Sequence, residues 1–338
     1  MKLFGKDLDR DVVVVAEVGV NHEGDVEAAS RLVKLAAAAG ADAVKLQTYT
    51  PSRFVSASDP TRLARVTRFG LDEAAHRRLA KEAAAAGIPF FSSAITEDVV
   101  PLLAELGPAI KIASGDLTFE PVIRAAAKTG RIVILSTGLG TTSEVDAAVR
   151  WVEDELGPVA LRDRLVLLHC VSAYPTPVEE ANVRSVPFLA ERYGVTVGYS
   201  NHVVGPEACL AAVALGAAML EVHFTDQKSG RTFRDHELSL EASDLAELIR
   251  SARKIRASLG RTGKERQPSE SGNLAAVRKG VVAARDLQPG KVLERGDLMF
   301  ARPATEIPAA EIGSVVGRRL KGAVRQGELI ARANLAAD

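Results

Sequence analysis

The chain reads as a repeated couplet. A short apolar run is followed by a polar turn, then by a longer stretch with apolar residues at helical spacing. Eight apolar runs occupy positions 12–18, 43–47, 89–93, 109–114, 132–137, 165–170, 195–200 and 219–224. Most are apolar at successive positions, as parallel strands covered on both faces should be. Helical stretches lie between them at 26–39, 72–86, 97–106, 119–128, 143–156 and 206–215, with another at 240–259. Gly40, Gly87, Gly107, Gly130 and Gly216 stand where helix ends favour a left-handed residue. Eight β/α couplets in about 260 residues predict an α/β fold, a closed (β/α)8 TIM barrel. The alternative is an open doubly wound sheet. No Gly-x-Gly-x-x-Gly turn follows the first strand, which weakens it.

Beyond position 259 the pattern changes. Residues 260–272 are polar and loop-like, and from about Ala276 short strands alternate with turns. The expected division is a barrel over 1–262, a linker over 263–279 and a small β-rich module over 280–338. So small a module should lean on the barrel or on a partner subunit.

Composition narrows the function classes. Forty-three basic residues balance 43 acidic ones, so nothing favours nucleic acid or an anionic membrane surface as a partner. The chain has no apolar run of about 18 residues, and Met-Lys-Leu-Phe-Gly-Lys-Asp lacks the apolar segment of a signal peptide. Two cysteines, Cys170 and Cys209, make no disulfide framework and fit a reducing cytoplasm.

In a barrel of this kind chemistry gathers at the carboxyl ends of the strands. Those ends carry Glu17, Lys45 with Gln47, Ser92 with Ser93, Lys111 with Ser114, Ser136, His169 with Ser172 and Tyr174, Ser200 with His202, and Glu221 with His223. A merely structural mouth needs no such density. Lys45 and Lys111 lie inside apolar runs, where a lysine is costly unless it meets an anion. Each either reaches water at the rim or joins Ser93, Ser114 and Ser136 in a phosphate or carboxylate pocket. A Schiff-base lysine is a third reading.

Six histidines occur, and five lie at or just after strand-like runs; His76 sits in what reads as an exposed helix. His202 and His223 end neighbouring strands and could grip one divalent metal, or could simply be hydrogen-bonded in a polar mouth. Glu17 reads equally as a salt-bridge partner and as a proton-transfer group. Asp235 falls in a long loop over 226–239, where a turn is the plain reading. Cys170 is expected in the core.

Several segments occur together and in order: Glu17-Val-Gly-Val-Asn-His-Glu-Gly24, Val44-Lys-Leu-Gln47, Ile110-Lys-Ile-Ala-Ser114, His169-Cys-Val-Ser-Ala-Tyr-Pro-Thr-Pro177, Gly198-Tyr-Ser-Asn-His202 and Glu221-Val-His-Phe-Thr225. Together they resemble the sialic acid synthase family, the N-acetylneuraminate synthases with their legionaminate, pseudaminate and spore-coat-polysaccharide relatives. Val281-Val-Ala-Ala-Arg-Asp286, the stretch from Leu298 to Pro303, and Val316-Gly-Arg-Arg-Leu320 resemble the antifreeze-like SAF domain of the same enzymes. The resemblance implies a metal-dependent condensation of phosphoenolpyruvate with the aldehyde of an N-acylated hexosamine, such as N-acetylmannosamine, its phosphate or a 2,4-diacetamido sugar. The product would be a nine-carbon 2-keto-3-deoxy acid plus phosphate.

On the same resemblance, His202 and His223 hold Mn2+, or another divalent cation such as Co2+ or Mg2+. Lys45, Ser93, Lys111, Ser114 and Ser136 hold phosphoenolpyruvate. Glu17, Gln47, Tyr174 and Asp235 meet the sugar, with Ser172 beside the substrate. Arg302 reaches the partner's site in a domain-swapped homodimer. The chain also departs from the family pattern. Asn201 replaces a frequent Asp that would orient the first metal histidine, Val222 replaces a Lys, and Ala304 replaces a Gly. Lys228, Arg231 and Arg234 add charge to the loop after the eighth strand, which implies a more anionic acceptor. A pyruvate aldolase using Lys45 or Lys111, and a carbohydrate-binding homologue without activity, are the other function classes.

Overall fold

The computed structural model describes residues 1–336; Ala337 and Asp338, the last positions of the expected module, lie outside the described residues. The chain forms two compact units, Met1–Gly260 and Arg261–Asp338. In the first, eight parallel strands close on themselves: β1 (Val13–Gly19), β2 (Ala43–Thr48), β3 (Phe90–Ala94), β4 (Ala109–Ile112), β5 (Ile132–Ser136), β6 (Leu165–Cys170), β7 (Thr196–Asn201) and β8 (Met219–His223). β8 returns to pair with β1. This is the expected TIM barrel, with strand ends moved by a residue or two.

Strand alternation explains how one short run serves both layers. Val14, Ala16, Val44, Leu46, Ile110 and Leu167 face outward and pack against the helices. Val13, Val15, Ala43, Phe91, Ile134 and Leu168 form the inner core. The next residues along the same inward-facing lines are polar, and they include Glu17, Lys45, Ser93, Lys111, Ser136 and Glu221. Each line is therefore apolar at the barrel base and polar at its mouth. Registry joins neighbouring polar positions: His223 lies opposite Glu17, Glu17 opposite Lys45, Gln47 opposite Ser93, and Ser93 opposite Lys111.

An antiparallel pair, Lys2–Leu3 with Lys6–Asp7, precedes β1. Leu3 and Leu8 join the inner core, and Phe4 stacks on Phe91 at 5.0 Å. This cover over the base was not legible in the apolar pattern.

The outer layer comprises α1 (Val26–Ala38), α2 (Glu73–Ala85), α3 (Val100–Leu106), α4 (Glu120–Lys128), α5 (Thr142–Leu156), α6 (Ser185–Tyr193), α7 (Glu207–Ala214) and α8 (Ala242–Ser258). Asp25, Asp72 and Thr141 cap α1, α2 and α5 through their side chains. Sequence periodicity missed α6 and the additional helix Pro60–Phe69, both short, the latter carrying three arginines in ten residues.

His76 corrects the sequence expectation. It is fully buried, on the α2 face that also buries Ala75, Leu79 and Ala83. Its Nδ1–H donates to the Asp72 carbonyl at 2.9 Å, and Nε2 accepts from the Thr48 hydroxyl at 2.8 Å. Both ring nitrogens are satisfied, so burial removes little hydrogen bonding.

The second unit has a core of its own, built on Val281, Leu287, Leu298, Ile307, Val315, Leu320, Val324 and Ile330. β9 (Gly280–Ala283) and β10 (Leu298–Ala301) pair antiparallel. Among the described residues, no helix is long and apolar enough to cross a membrane.

Gly40, Gly87, Gly130 and Gly216 have φ of +85°, +73°, +69° and +106°, as the cap reading requires. Gly107 differs: its φ is not in the left-handed region, and a Cβ there would meet the Phe90 carbonyl oxygen at 2.3 Å. It is a close-approach glycine between α3 and β3. Gly87→Ala should cost about 1–2 kcal/mol for its dihedral, and Gly107→Ala roughly 3 kcal/mol because backbone must move. Urea unfolding would check the order; equal losses would remove the close-approach account.

Candidate active site

The barrel mouth opens into a cavity of about 820 Å³. All the residues assigned within the barrel on the resemblance line it: Glu17 from β1, Lys45 and Gln47 from β2, Ser93 from β3, Lys111 and Ser114 on and after β4, and Ser136 from β5. Ser172 and Tyr174 follow β6, His202 follows β7, His223 ends β8, and Asp235 begins the one-turn helix Asp235–Leu238. Asp235 thus sits on a short helix inside the expected loop. Arg302 belongs to the second unit, where its guanidinium donates to the Val277 carbonyl.

The floor is ionic. Lys45 Nζ lies 2.7 Å from Glu17 Oε2 and 3.5 Å from Glu221 Oε2, and it donates to Ser93 Oγ at 3.0 Å. Lys111 Nζ lies 3.7 Å from Glu221 Oε1 and donates to the Ile112 carbonyl at 3.1 Å. Ser200 Oγ donates to Glu221 Oε1 at 3.1 Å, and Gln47 Nε2 to Glu17 Oε1 at 3.3 Å. All four charged side chains are buried, so neither lysine is the water-reaching rim residue that was one sequence reading.

Burial pushes the Glu17 carboxyl up to about 7 despite Lys45 beside it. Burial also pushes Glu221 up, but Lys111 and Lys45 outweigh it and the net shift is downward. Lys45 is opposed by burial, yet Glu17 and Glu221 hold it above its ordinary value. Lys111 is lowered by burial, which Glu221 offsets only in part.

Hydroxyls form an adjoining wall. Gly138 N donates to Ser114 Oγ at 3.1 Å. A Cβ on Gly138 would fall 2.4 Å from Ser172 Oγ and 2.7 Å from Ser114 Oγ. The glycine therefore lets two loops close on one another. The buried Ser136 and Ser172 hydroxyl oxygens have no hydrogen-bond partner among the described residues. Unpartnered buried hydroxyls beside two ammonium groups are what an anionic oxygen would satisfy.

The next stretch of wall is aromatic. The rings of His202 and His223 lie 5.3 Å apart, and the Tyr174 ring lies 4.0 Å from His202. His202 Nδ1–H donates to the Val171 carbonyl at 2.6 Å, which leaves Nε2 as the free lone pair. His223 Nδ1 is buried with no partner. Burial, with His202 beside it, holds His223 well below its ordinary value and keeps the ring neutral. Burial pulls His202 down, but Cys170 and the Val171 carbonyl outweigh it and hold the ring above its ordinary value. Two imidazoles with unclaimed nitrogens, once His202 gives up its proton, fit a divalent cation. Among the described residues no third His, Cys, Asp or Glu joins them in a ligand group.

Asn201 does not act on the histidine. Its side chain donates to the Val203 carbonyl at 2.8 Å and accepts from Val203 N at 3.2 Å. The Val171 carbonyl orients His202 instead, so the departure at position 201 leaves the ring's support intact. Cys170 is buried but belongs to the site: it lines the cavity, with Sγ 3.7 Å from His202 Nδ1. Cys209 is the cysteine found in the core.

The loop charges divide. Arg234 lines the cavity, lies 4.7 Å over the Tyr174 ring and donates to Asp235 Oδ1 at 3.2 Å. Arg231 turns to Asp226 at 2.8 Å and Glu23 at 3.9 Å, and Lys228 to Asp244 at 3.9 Å. Neither of those two lines the cavity. Sequence reasoning placed Ser200 and Glu221 at strand ends without giving them a site role. It missed Arg62 and Arg65 at the cavity altogether, because helix Pro60–Phe69 was not recognised; Asp59-Pro60 was the available signal for its start.

Comparison with known proteins decides the family. Residues 32–264 match the model of the NeuB family, and residues 278–336 match the SAF domain. The chain belongs to the NeuB family. It is 36% identical to the N,N'-diacetyllegionaminic acid synthase of Campylobacter jejuni over 335 residues, covering 95% of this chain and 99% of that protein. It is 34% identical to the enzyme of the same name from Legionella pneumophila, covering 91% and 90%. Among solved structures, the N-acetylneuraminic acid (sialic acid) synthetase of Leptospira borgpetersenii superposes with a TM-score of 0.73 at 33% identity, covering 78% of this chain and 90% of that one. Membership in the NeuB family agrees with the barrel and the small C-terminal domain described above.

Glu17 provides a test of the floor. Its pKa is raised from 4.5 to about 7 by burial, so the fold favours the protonated form. The stability this contributes is fully present below about 4.5 and is lost as pH rises through 7. Between these values the wild type should lose stability relative to Glu17→Gln. Denaturation midpoints measured across the window would check this; parallel pH profiles would remove the raised carboxyl.

Proposed function

We propose that this NeuB-family enzyme condenses phosphoenolpyruvate with the open-chain aldehyde of an N-acylated hexosamine, giving a nine-carbon 2-keto-3-deoxy acid and inorganic phosphate. What carries the reading is one cavity that joins a two-lysine, three-serine anion pocket to a wall of Tyr174, His202 and His223. The relatives' names support the same class of product.

In this reading Lys45 and Lys111, with Ser93, Ser114 and Ser136, hold the phosphate and carboxylate of phosphoenolpyruvate. The C3 carbon of phosphoenolpyruvate bonds to the aldehyde carbon, whose oxygen becomes a hydroxyl. Water adds at C2, and C–O cleavage releases phosphate. Glu17 and Gln47 meet the sugar together with Tyr174 and Asp235. A carboxyl raised to about 7 by burial suits a group that would move a proton at the acceptor oxygen. His202 and His223 would hold a divalent ion, with Mn2+ preferred and Co2+ or Mg2+ as alternatives. Bound there, the ion supplies Lewis acidity toward a carbonyl oxygen. Arg302 is proposed to complete the acceptor site of the partner in a domain-swapped homodimer. The free thiols Cys170 and Cys209 accord with a proposed cytoplasmic location.

One observation favours a second reading. Lys111 is held low by burial, which suits an amine nucleophile and a Schiff-base aldolase. Borohydride with pyruvate would trap that imine and would leave the proposed synthase active.

The decisive assay supplies phosphoenolpyruvate, Mn2+ and a panel comprising N-acetylmannosamine, its 6-phosphate and 2,4-diacetamido hexoses. Phosphate and the nine-carbon acid should appear together. No phosphate release with any acceptor, with or without metal, would overturn the reading. Lys111→Met should lower kcat/KM at least about 100-fold, since a buried charge-assisted contact to the substrate is lost. EDTA should abolish turnover and added Mn2+ restore it; resistance to EDTA would remove the metal role. Arg302→Ala and Lys111→Met subunits should each be impaired alone and regain activity when mixed; no regain would remove the shared site.

A further inference from the structure

We propose that the cavity mouth selects an acceptor carrying an anionic group at the end remote from its aldehyde, bound by Arg62 and Arg65. The inference rests on the reading above and names the substrate class of that same site.

Helix Pro60–Phe69 starts at Asp59, whose side chain accepts from Arg62 N at 3.0 Å. Positions 62, 65, 66 and 69 fall on one stripe of a helix. Val66 and Phe69 are buried on that stripe, and all four residues line the cavity. The two guanidiniums therefore belong to the face that looks over the mouth, where a helix of this kind would ordinarily be apolar.

Among the described residues neither guanidinium is paired with a carboxylate, and Arg62 lies 5.5 Å over the neutral Phe54 ring. Some arginines elsewhere on the barrel behave differently. Arg77, Arg78, Arg124 and Arg192 are each clamped by Asp or Glu at 3.0 Å or less. The floor lysines likewise meet Glu17 and Glu221. The cavity thus has an anion pocket at its floor and exposed guanidiniums at its rim. One substrate supplies the phosphate for the first. An acceptor of matching polarity carries the second anion, and Tyr49, Phe54 and Val66 supply the apolar surface beside it. A guanidinium presents paired donors to phosphate or carboxylate oxygens.

A matched pair of acceptors tests this: N-acetylmannosamine and its 6-phosphate, each with phosphoenolpyruvate and Mn2+. Wild type should prefer the phosphorylated sugar in kcat/KM. Arg62→Gln/Arg65→Gln should reduce that preference roughly tenfold, through the KM for the acceptor. Arg62→Lys/Arg65→Lys should retain part of it. An unchanged ratio in the Gln variant, or a wild type that prefers the neutral sugar, would overturn the proposal. So would a rise in the KM for phosphoenolpyruvate equal with both sugars, which would assign the guanidiniums to the other substrate. Should no acceptor release phosphate, the proposed reaction fails, and calorimetric titration of the two sugars still decides the subsite. Tighter binding of the 6-phosphate by wild type than by the Gln variant supports it, and equal binding overturns it.

Discussion

Lys45 stands between two carboxylates inside a closed barrel, and much of the site depends on that contact. An unpaired ammonium there would cost several kcal/mol, and an unpaired carboxylate as much. Glu17 and Glu221 hold Lys45, and Glu221 also faces Lys111. The members come from four strands, so the charges are satisfied only once β1, β2, β4 and β8 are in register. The arrangement uses burial rather than avoiding it. The same desolvation that endangers the fold raises Glu17 while the lysines lower Glu221, and it lowers Lys111 while the carboxylates raise Lys45, so each like pair is split in proton affinity.

The barrel can carry this polarity because its interior is graded. Apolar residues fill the inner layers near the base, and the amino-terminal pair covers that end with Leu3, Phe4 and Leu8. Polar residues occupy the last inward position of most strands. The outward residues of the same strands are mostly apolar and pack on the helices, with Thr48, Ser92 and His169 hydrogen-bonded among them. A strand such as Val-Val-Val-Ala-Glu-Val-Gly serves both duties within seven residues.

Much of this was legible from residue order. The eight apolar runs marked the strands, and their polar ends marked the mouth, because a period of two and a fixed strand direction leave little freedom. His76 was misread because helix α2 looks polar by composition; only tertiary contact shows that Thr48 and the Asp72 carbonyl satisfy its ring. Gly107 was misassigned because a cap and a close approach leave the same letter in the chain. Cys170 looked like core, since nothing local reveals that His202 reaches it from the next strand. Helix Pro60–Phe69 was missed for a related reason. Its inner stripe mixes two arginines with Val66 and Phe69, so the usual contrast between faces is absent. Position 201 carried an expectation borrowed from relatives, and the Val171 carbonyl proved to be the actual support.

The segment after β6 shows how that support is shared. Val171 O holds the His202 ring, while Thr176 N donates to the His202 carbonyl at 2.9 Å. The Thr176 hydroxyl bonds the Val171 and Ala173 carbonyls at 3.2 Å and 2.9 Å. Ser172 and Tyr174 lie within this tied segment. The histidine and the loop therefore form one cooperative opening unit in the sense of native-state hydrogen exchange. A fluctuation that releases the loop also releases the ring, so the placement of Ser172 and Tyr174 and the orientation of the imidazole are lost and regained together.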